Sequence, residues 1–310
     1  MQTVFVIDGG AGRAIAAIPA LLKYHKNNPD DNFKIVIMGW DTFLWGIPEL
    51  QDRTYSGDTK GVFENVFFNA TKIVTPEPYR VPGYFKQQLS LAQAFDVEIN
   101  DATDHSDLGP PLLVLSKTEE KNAANVIADV KAQQQKQKTI VIQPFGRGAR
   151  VDRNDIIDDA SRSLEVKDYI KLVKKLSVKY NLIFFGEQQF NVPEDTYTFK
   201  LQADLRMWAA IIDSSDYFVG VDSVGQHMAR ALGKPGTVIL GSTFAINVTY
   251  PDYFQILERD NTVKKYSPIR ISGLDCHLAD RINDRCMEFT DSDIESIYKQ
   301  IVQDIEKKVK

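Results

Sequence analysis

Residues 222–227 read Asp-Ser-Val-Gly-Gln-His and stand where an apolar run, residues 217–221, gives way to a helical pattern. Two kinds of chemistry fit them. Ser223 and Gln226 have the S-x-x-Q spacing of a capping box, in which each side chain satisfies the other's backbone N–H. Gly233 and Pro235 then end the helix in the usual way. Capping does not account for Asp222, nor for Gly225 in the first turn, where glycine costs about 1 kcal/mol against alanine. Glycine does let a ligand approach the backbone closely. Amides at a helix start, beyond the carboxyl end of a parallel strand, suit a phosphate, and His227 would reach the same anion. The residues alone leave a capped helix and the wall of an anion site both standing.

Three other stretches carry chemistry. "IQPFGRGARVDR", residues 142–153, holds Gly146, Arg147, Gly148 and Arg150 on a turn after an apolar strand, and guanidinium groups there suit phosphate oxygens. Gly186 and Glu187 end another strand, and a strand-end acid accepts from ribose hydroxyls in many nucleotide sites. "DGGAGRA", residues 8–14, is a glycine turn after the first strand. Its Gly10 and Gly12 begin a G-x-G-x-x-G pattern, and Asp41 ends the second strand, which is the motive for reading a nicotinamide or flavin oxidoreductase. The third glycine position holds Ile15, which weakens that reading. Trp40, Trp45, Tyr79, Tyr84 and Phe85 offer faces for sugar rings or bases, though each alone is ordinary core. Cys276, His277 and Cys286 make an incomplete zinc set, so no metal is expected.

The elements that must position these residues alternate. Strands are expected at 3–7, 33–38, 111–115, 139–143, 182–185, 217–221 and 237–240. Helices are expected from the glycine turn to about 25 and at 118–130, 166–180, 204–212, 224–232 and 292–309. Residues 45–110 are rich in aromatics, Pro and Gly and read as long loops with short elements. "KAQQQKQK", residues 131–138, is polar and low in complexity and marks the best boundary. The expected class is therefore α/β, with an N-terminal Rossmann-like domain over 1–135, a C-terminal one over 139–290, and a last helix over 291–310 for which packing back on the first domain stays open. Two doubly wound domains facing each other would leave a cleft at the carboxyl ends of their strands, where ligands bind.

The 310 residues suit two domains, and 43% hydrophobic with 25% charged content is that of a globular chain with a large core. A net charge of −5 gives no basic field for nucleic acid. The start, MQTVFVIDGG, has no basic n-region, and no run reaches membrane-spanning length, so a cytoplasmic location with free thiols is expected.

"DSVGQHMARALGKPGTVILGST", residues 222–243, resembles the D-S-G-x-x-H-x-A-x-A-L-G-x-P segment of the family 9 glycosyltransferases, the heptosyltransferase-like enzymes of lipopolysaccharide synthesis. "GRAIAAIPAL" (12–21) is similar to that family's G-D-x-x-x-x-x-P-A-L. "LRMWAAIIDSSDYFVGVDS" (205–223) resembles its helix and strand leading into the motif. "DCHLADRINDRCMEFTDSDI" (275–294) resembles its C-terminal Cys-containing segment. The order of four matches is more specific than any one.

The resemblance implies a GT-B architecture and transfer of a sugar from a nucleotide-diphosphate sugar to an acceptor hydroxyl, with inversion. The acceptor is a saccharide of the lipopolysaccharide type by default, or a hydroxymethylated DNA base. The donor is a substrate, and no cofactor is implied; no Asp-x-Asp metal motif stands where the donor should lie. On this reading the backbone at Ser223, Val224 and Gly225 holds phosphates, Gln226 and His227 flank them, and Asp222 orients the loop or touches the sugar. Arg162 would neutralise the leaving diphosphate. The chain departs from the family twice. D-S-G is here D-S-V-G, and the Asp that follows the last glycine of the first motif, taken as general base, is Arg13. A guanidinium accepts no proton near neutrality; Arg13 would instead contact phosphate or an acidic acceptor. Asp8 is then the first choice of base, Asp41 the second, and His105 with Asp104 the third. A binding protein that kept the fold and lost the base is the alternative.

Overall fold

The computed structural model describes residues 2–146, 148–152, 155–158, 160–186, 193, 196–200, 204–259, 265, 267 and 287–309. By their contacts they form two units. Unit 1 holds those within Met1–Val114 and Ile246–Val248, with Ser267. Unit 2 holds those within Leu115–Ala245 and Thr249–Tyr266 and the C-terminal stretch.

Unit 1 is built from β1 (Thr3–Ile7), α1 (Ala11–Asn27), β2 (Lys34–Ile37), β3 (Thr54–Ser56), β4 (Lys72–Val74), α2 (Pro82–Phe85) and α3 (Leu91–Asn100). Its sheet is parallel, in the order β3-β2-β1-β4. Parallel strands covered on both faces read as continuous apolar runs, which is why Val4, Phe5, Ile7, Ile35, Val36 and Ile37 are buried. The expected loop region supplies β3, β4 and α3. Three-residue strands carry too little period to be read, whereas α3 has a capping box from Ser90 and Gln93 that the surrounding turn residues hid. The expected strand at 111–115 does not form. Pro110 and Pro111 have no N–H to give a ladder. Leu113 is buried all the same, and the Val114 side chain fills the space where a Cβ on Gly46 would stand.

Unit 2 follows with α4 (Lys117–Gln134), β5 (Thr139–Gln143), β6 (Arg150–Asp152), β7 (Asp155–Ile157), α5 (Val166–Leu176), β8 (Asn181–Gly186), β9 (Tyr197–Lys200), α6 (Leu205–Ser214), β10 (Tyr217–Gly220), α7 (Val224–Ala231) and β11 (Gly236–Leu240), then, after the short α8 (Ala245–Val248), whose Ile246–Val248 cluster with unit 1, β12 (Gln255–Glu258) and α9 (Asp291–Lys308). The six-stranded sheet is parallel in the order β12-β11-β10-β5-β8-β9; β6 and β7 form a separate antiparallel pair. From β5 the chain adds β8 and β9 on one side, then β10, β11 and β12 on the other. That is the Rossmann order.

The 131–138 tract is the end of α4 and the lead into β5. α4 is held within unit 2 by Glu119, which accepts from Arg206 Nε at 2.5 Å and Nη2 at 2.9 Å. Burial would raise the Glu119 carboxyl, but the bonds and charge of Arg206 outweigh it and hold it down to about 2. The final helix, for which a return to the first domain stood open, clusters with unit 2. Its Ile294, Ile297, Ile301 and Ile305 join Leu172, Val173 and Leu176 of α5 in one core, and Lys171 and Lys175 pair with Asp291 and Glu295 alongside. No helix among the described residues is long and apolar enough to cross a membrane.

Candidate functional site

In unit 2 the connections leave β5 on one side and arrive at β10 on the other, so the topology switches between these two neighbours, the place where ligands sit in open α/β sheets. Gln143, the last residue of β5, pairs with Gly220 of β10. Beyond them lie the Gly146 turn, Asp222 and the start of α7.

The start of α7 differs from the expected capping box. Ser223 occupies the cap position with extended backbone, but its side chain makes no cap bond. Gln143 does that work from across the sheet: its Oε1 accepts from Gly225 N at 2.9 Å, and its Nε2 donates to Ser223 Oγ at 3.0 Å. The reason for Gly225 also changes. A Cβ there would stand 2.3 Å from Gln143 Oε1 and 2.8 Å from the Phe218 ring. The glycine is needed for packing against Gln143, and its amide is already bonded. Gln226 is fully buried; Val224 and Ser223 are half-buried.

His227 is buried as well, with Nδ1 2.8 Å from Tyr250 Oη. Burial pulls its imidazole down to about 4, so at neutral pH it is uncharged and brings no positive charge to the turn.

Among the described residues Arg162 brings a positive charge to this turn, its Nη1 lying 3.7 Å from Asp222 Oδ2. Burial raises the Asp222 carboxyl, against the pull of Arg162 and a hydrogen bond from Thr243. The loop that carries Arg162 is wound around Asp158, which accepts from the backbone N–H of Ala160, Arg162 and Ser163 and from Ser163 Oγ. Ser163 Oγ in turn accepts from Gly146 N at 2.9 Å. Ser242, after β11, ties the same loop by donating to the carbonyls of Ala160 and Ser161. The resemblance pointed to Arg162, and the structure brings it to Asp222 and the Gly146 turn. Arg150 is exposed on β6. Gly186 ends β8, where a Cβ would strike the Phe184 ring. Arg147 and Glu187 lie outside the described residues, as do Cys276, His277 and Cys286.

Unit 1 has a switch point of its own between β1 and β4. Arg13 fills it. Its Nε donates to the Asp8 carbonyl at 3.0 Å, Nη2 to Asp8 Oδ1 at 3.3 Å and Nη1 to Glu77 Oε1 at 3.1 Å, and its guanidinium lies 4.7 Å from the Tyr79 ring centre. It is 5% exposed. Burial would lower its pKa, but Tyr79, Glu77 and Asp8 together raise it. Asp8, at the end of β1, is 36% exposed on its side chain. Asp41 begins a short helical turn after β2, beside Trp40, whose Nε1 donates to the Gly9 carbonyl. His105 is exposed, and Asp104 lies 3.8 Å from Lys23.

Several residues of these networks were not singled out from sequence, Gln143, Asp158, Ser163, Ser242, Thr243, Tyr250 and Glu77 among them. Gln143 carries a signal, a polar residue closing the apolar strand TIVIQ. Glu77 sits between two prolines and carries none.

No protein-family model matches the chain, and no curated protein does. Solved structures do. The structure of E. coli ADP-heptose lipopolysaccharide heptosyltransferase II matches with a TM-score of 0.67 at 10% identity, over 99% of each chain. A family 9 glycosyltransferase from Veillonella parvula DSM 2008 matches with a TM-score of 0.61 at 13% identity, over 83% of this chain and 86% of that one. An iron-containing dodecameric glycosyltransferase from enterotoxigenic E. coli H10407 matches with a TM-score of 0.61 at 11% identity, over 99% and 78%. At such identities the likeness is one of fold, that of the GT-B glycosyltransferases with two Rossmann-like domains. Among the described residues no three His, Cys, Asp or Glu side chains are grouped so as to hold a metal ion.

Proposed function

We propose that the protein is a glycosyltransferase that moves a sugar from a nucleotide-diphosphate sugar to an acceptor hydroxyl, without a metal and with inversion. The observation that carries this reading is the switch point of unit 2, which gathers the start of α7, the Gly146 turn and Arg162 in a fold shared with an ADP-heptose enzyme. Helix-start amides and a guanidinium are what a diphosphate needs.

In the reaction the acceptor oxygen attacks the anomeric carbon. The new C–O bond forms as the bond to the diphosphate oxygen breaks, and the nucleoside diphosphate leaves with that electron pair. The acceptor's proton passes to a carboxylate acting as general base, a role we assign to Asp8. Arg162 and the backbone at Ser223 and Val224 stabilise the charge on the leaving diphosphate, the Gly225 amide being held by Gln143. Unit 1 takes the acceptor, a saccharide or lipopolysaccharide core, or a hydroxymethylated DNA base.

One observation favours a second reading. Arg13 occupies the position of the family's base and is buried between Asp8 and Glu77, as in a nucleotide-sugar-binding protein that has lost turnover. Incubation with ADP-, UDP- and GDP-sugars, alone and with these acceptors, separates the two. Release of nucleoside diphosphate, abolished in Asp8→Asn, supports the transferase. Donor binding with no release under any of these conditions supports the binding protein.

A further inference from the structure

Gln143 is 4% exposed and sits between an N–H that can only donate and a hydroxyl that can do either. Gly225 N can only donate, so the oxygen of the Gln143 amide must face it, and the NH₂ must face Ser223. That fixes the serine. Its oxygen accepts from Gln143 Nε2, and its own hydroxyl proton is left to point elsewhere, from a half-buried side chain at the cap position of α7. A carboxylate in place of the amide would reverse this, because it can only accept and would take the serine proton for itself.

We propose that Gln143 is a positioning residue for the donor: it holds the Ser223 hydroxyl as a hydrogen-bond donor toward the diphosphate and keeps the oxygen on Gly225 N uncharged. This rests on the reading that unit 2 binds a nucleotide diphosphate. An acid at this place would cap α7 as well as glutamine does or better, since negative charge is favoured at a helix N-terminus. Fold stability and diphosphate binding therefore move apart, which a purely structural role for Gln143 would not produce.

The test titrates ADP, UDP and GDP by calorimetry into the full-length chain and into Gln143→Glu, Ser223→Ala and the double variant, with melting temperatures alongside. The expected result is a melting temperature for Gln143→Glu equal to or above the original. The affinity for the nucleoside diphosphate that binds falls at least tenfold in Gln143→Glu and severalfold in Ser223→Ala. Adding Ser223→Ala to Gln143→Glu changes affinity by less than twofold, because the hydroxyl has already been turned away. Binding to the unaltered chain with unchanged affinity in Gln143→Glu, or in Ser223→Ala should Gln143→Glu not fold, overturns the positioning role and leaves the donor reading intact. Failure of the unaltered chain to bind any of the three overturns the donor reading, and this role with it.

Discussion

Arg13 Nη1 lies 3.1 Å from Glu77 Oε1, and the same guanidinium reaches Asp8 Oδ1 at 3.3 Å. The guanidinium is thus bound to two carboxylates of its own unit and is 5% exposed. It holds Asp8 at the end of β1, the carboxylate proposed above as the general base.

The first prediction follows. Asp8→Asn keeps the shape and the bond to Arg13 through its amide oxygen but cannot take a proton. We expect kcat to fall by about 10²- to 10⁴-fold with donor affinity unchanged. Steady-state kinetics read both, and a kcat within threefold of the original would move the base elsewhere, with Asp41 next in line.

A second prediction concerns Gly225, where two principles disagree in sign. Helix propensity says that Gly225→Ala stabilises α7 by about 1 kcal/mol. The structure puts the new methyl 2.3 Å from Gln143 Oε1 and 2.8 Å from the Phe218 ring, and overpacking of this kind costs about 1–3 kcal/mol. Packing wins, so urea unfolding should show Gly225→Ala to be the less stable protein. A gain in stability would mean that the turn is more open than described.

Alternating apolar runs and amphipathic stretches placed β5, β8, β10, β11, α4, α5, α6, α7 and α9 closely, because each reports its own burial over several residues. β9, β12 and the β6–β7 pair were missed, and so were β3 and β4 of unit 1, each three or four residues long and too short to show a period. The motif at 222–227 was visible, yet its cap was misassigned. S-x-x-Q is a local pattern, and the group that fills the cap is 80 residues away from Ser223. Glu77 was invisible for the same reason, since it meets Arg13 across 64 residues. Spacing finds what a segment does for itself, and contacts between segments appear only once the sheet is assembled.

The third prediction is one of pH. His227 is held down to about 4 by burial, from an ordinary value of 6.5. Between these values the unfolded chain binds a proton that the folded chain does not, so stability is full above about pH 6.5 and falls as the pH drops toward 4, by on the order of 3 kcal/mol in all. His227→Gln removes that proton uptake. Denaturation midpoints at pH 7 and pH 4.5 should lie closer together for the variant than for the original; an equal loss in both proteins would show that His227 is not buried in its neutral form.

The central claim is that the switch point between β5 and β10 holds a nucleotide-sugar diphosphate, with Arg162 as its cation. Isothermal calorimetry of intact ADP-, UDP- and GDP-sugars against the original chain and Arg162→Ala tests it most directly. Loss of one charge-assisted contact is worth roughly 1.5–3 kcal/mol, so we predict saturable binding of at least one donor and an affinity about 10- to 100-fold weaker in Arg162→Ala. Binding of the same strength in both proteins, or no binding of any donor to the original, would contradict the claim.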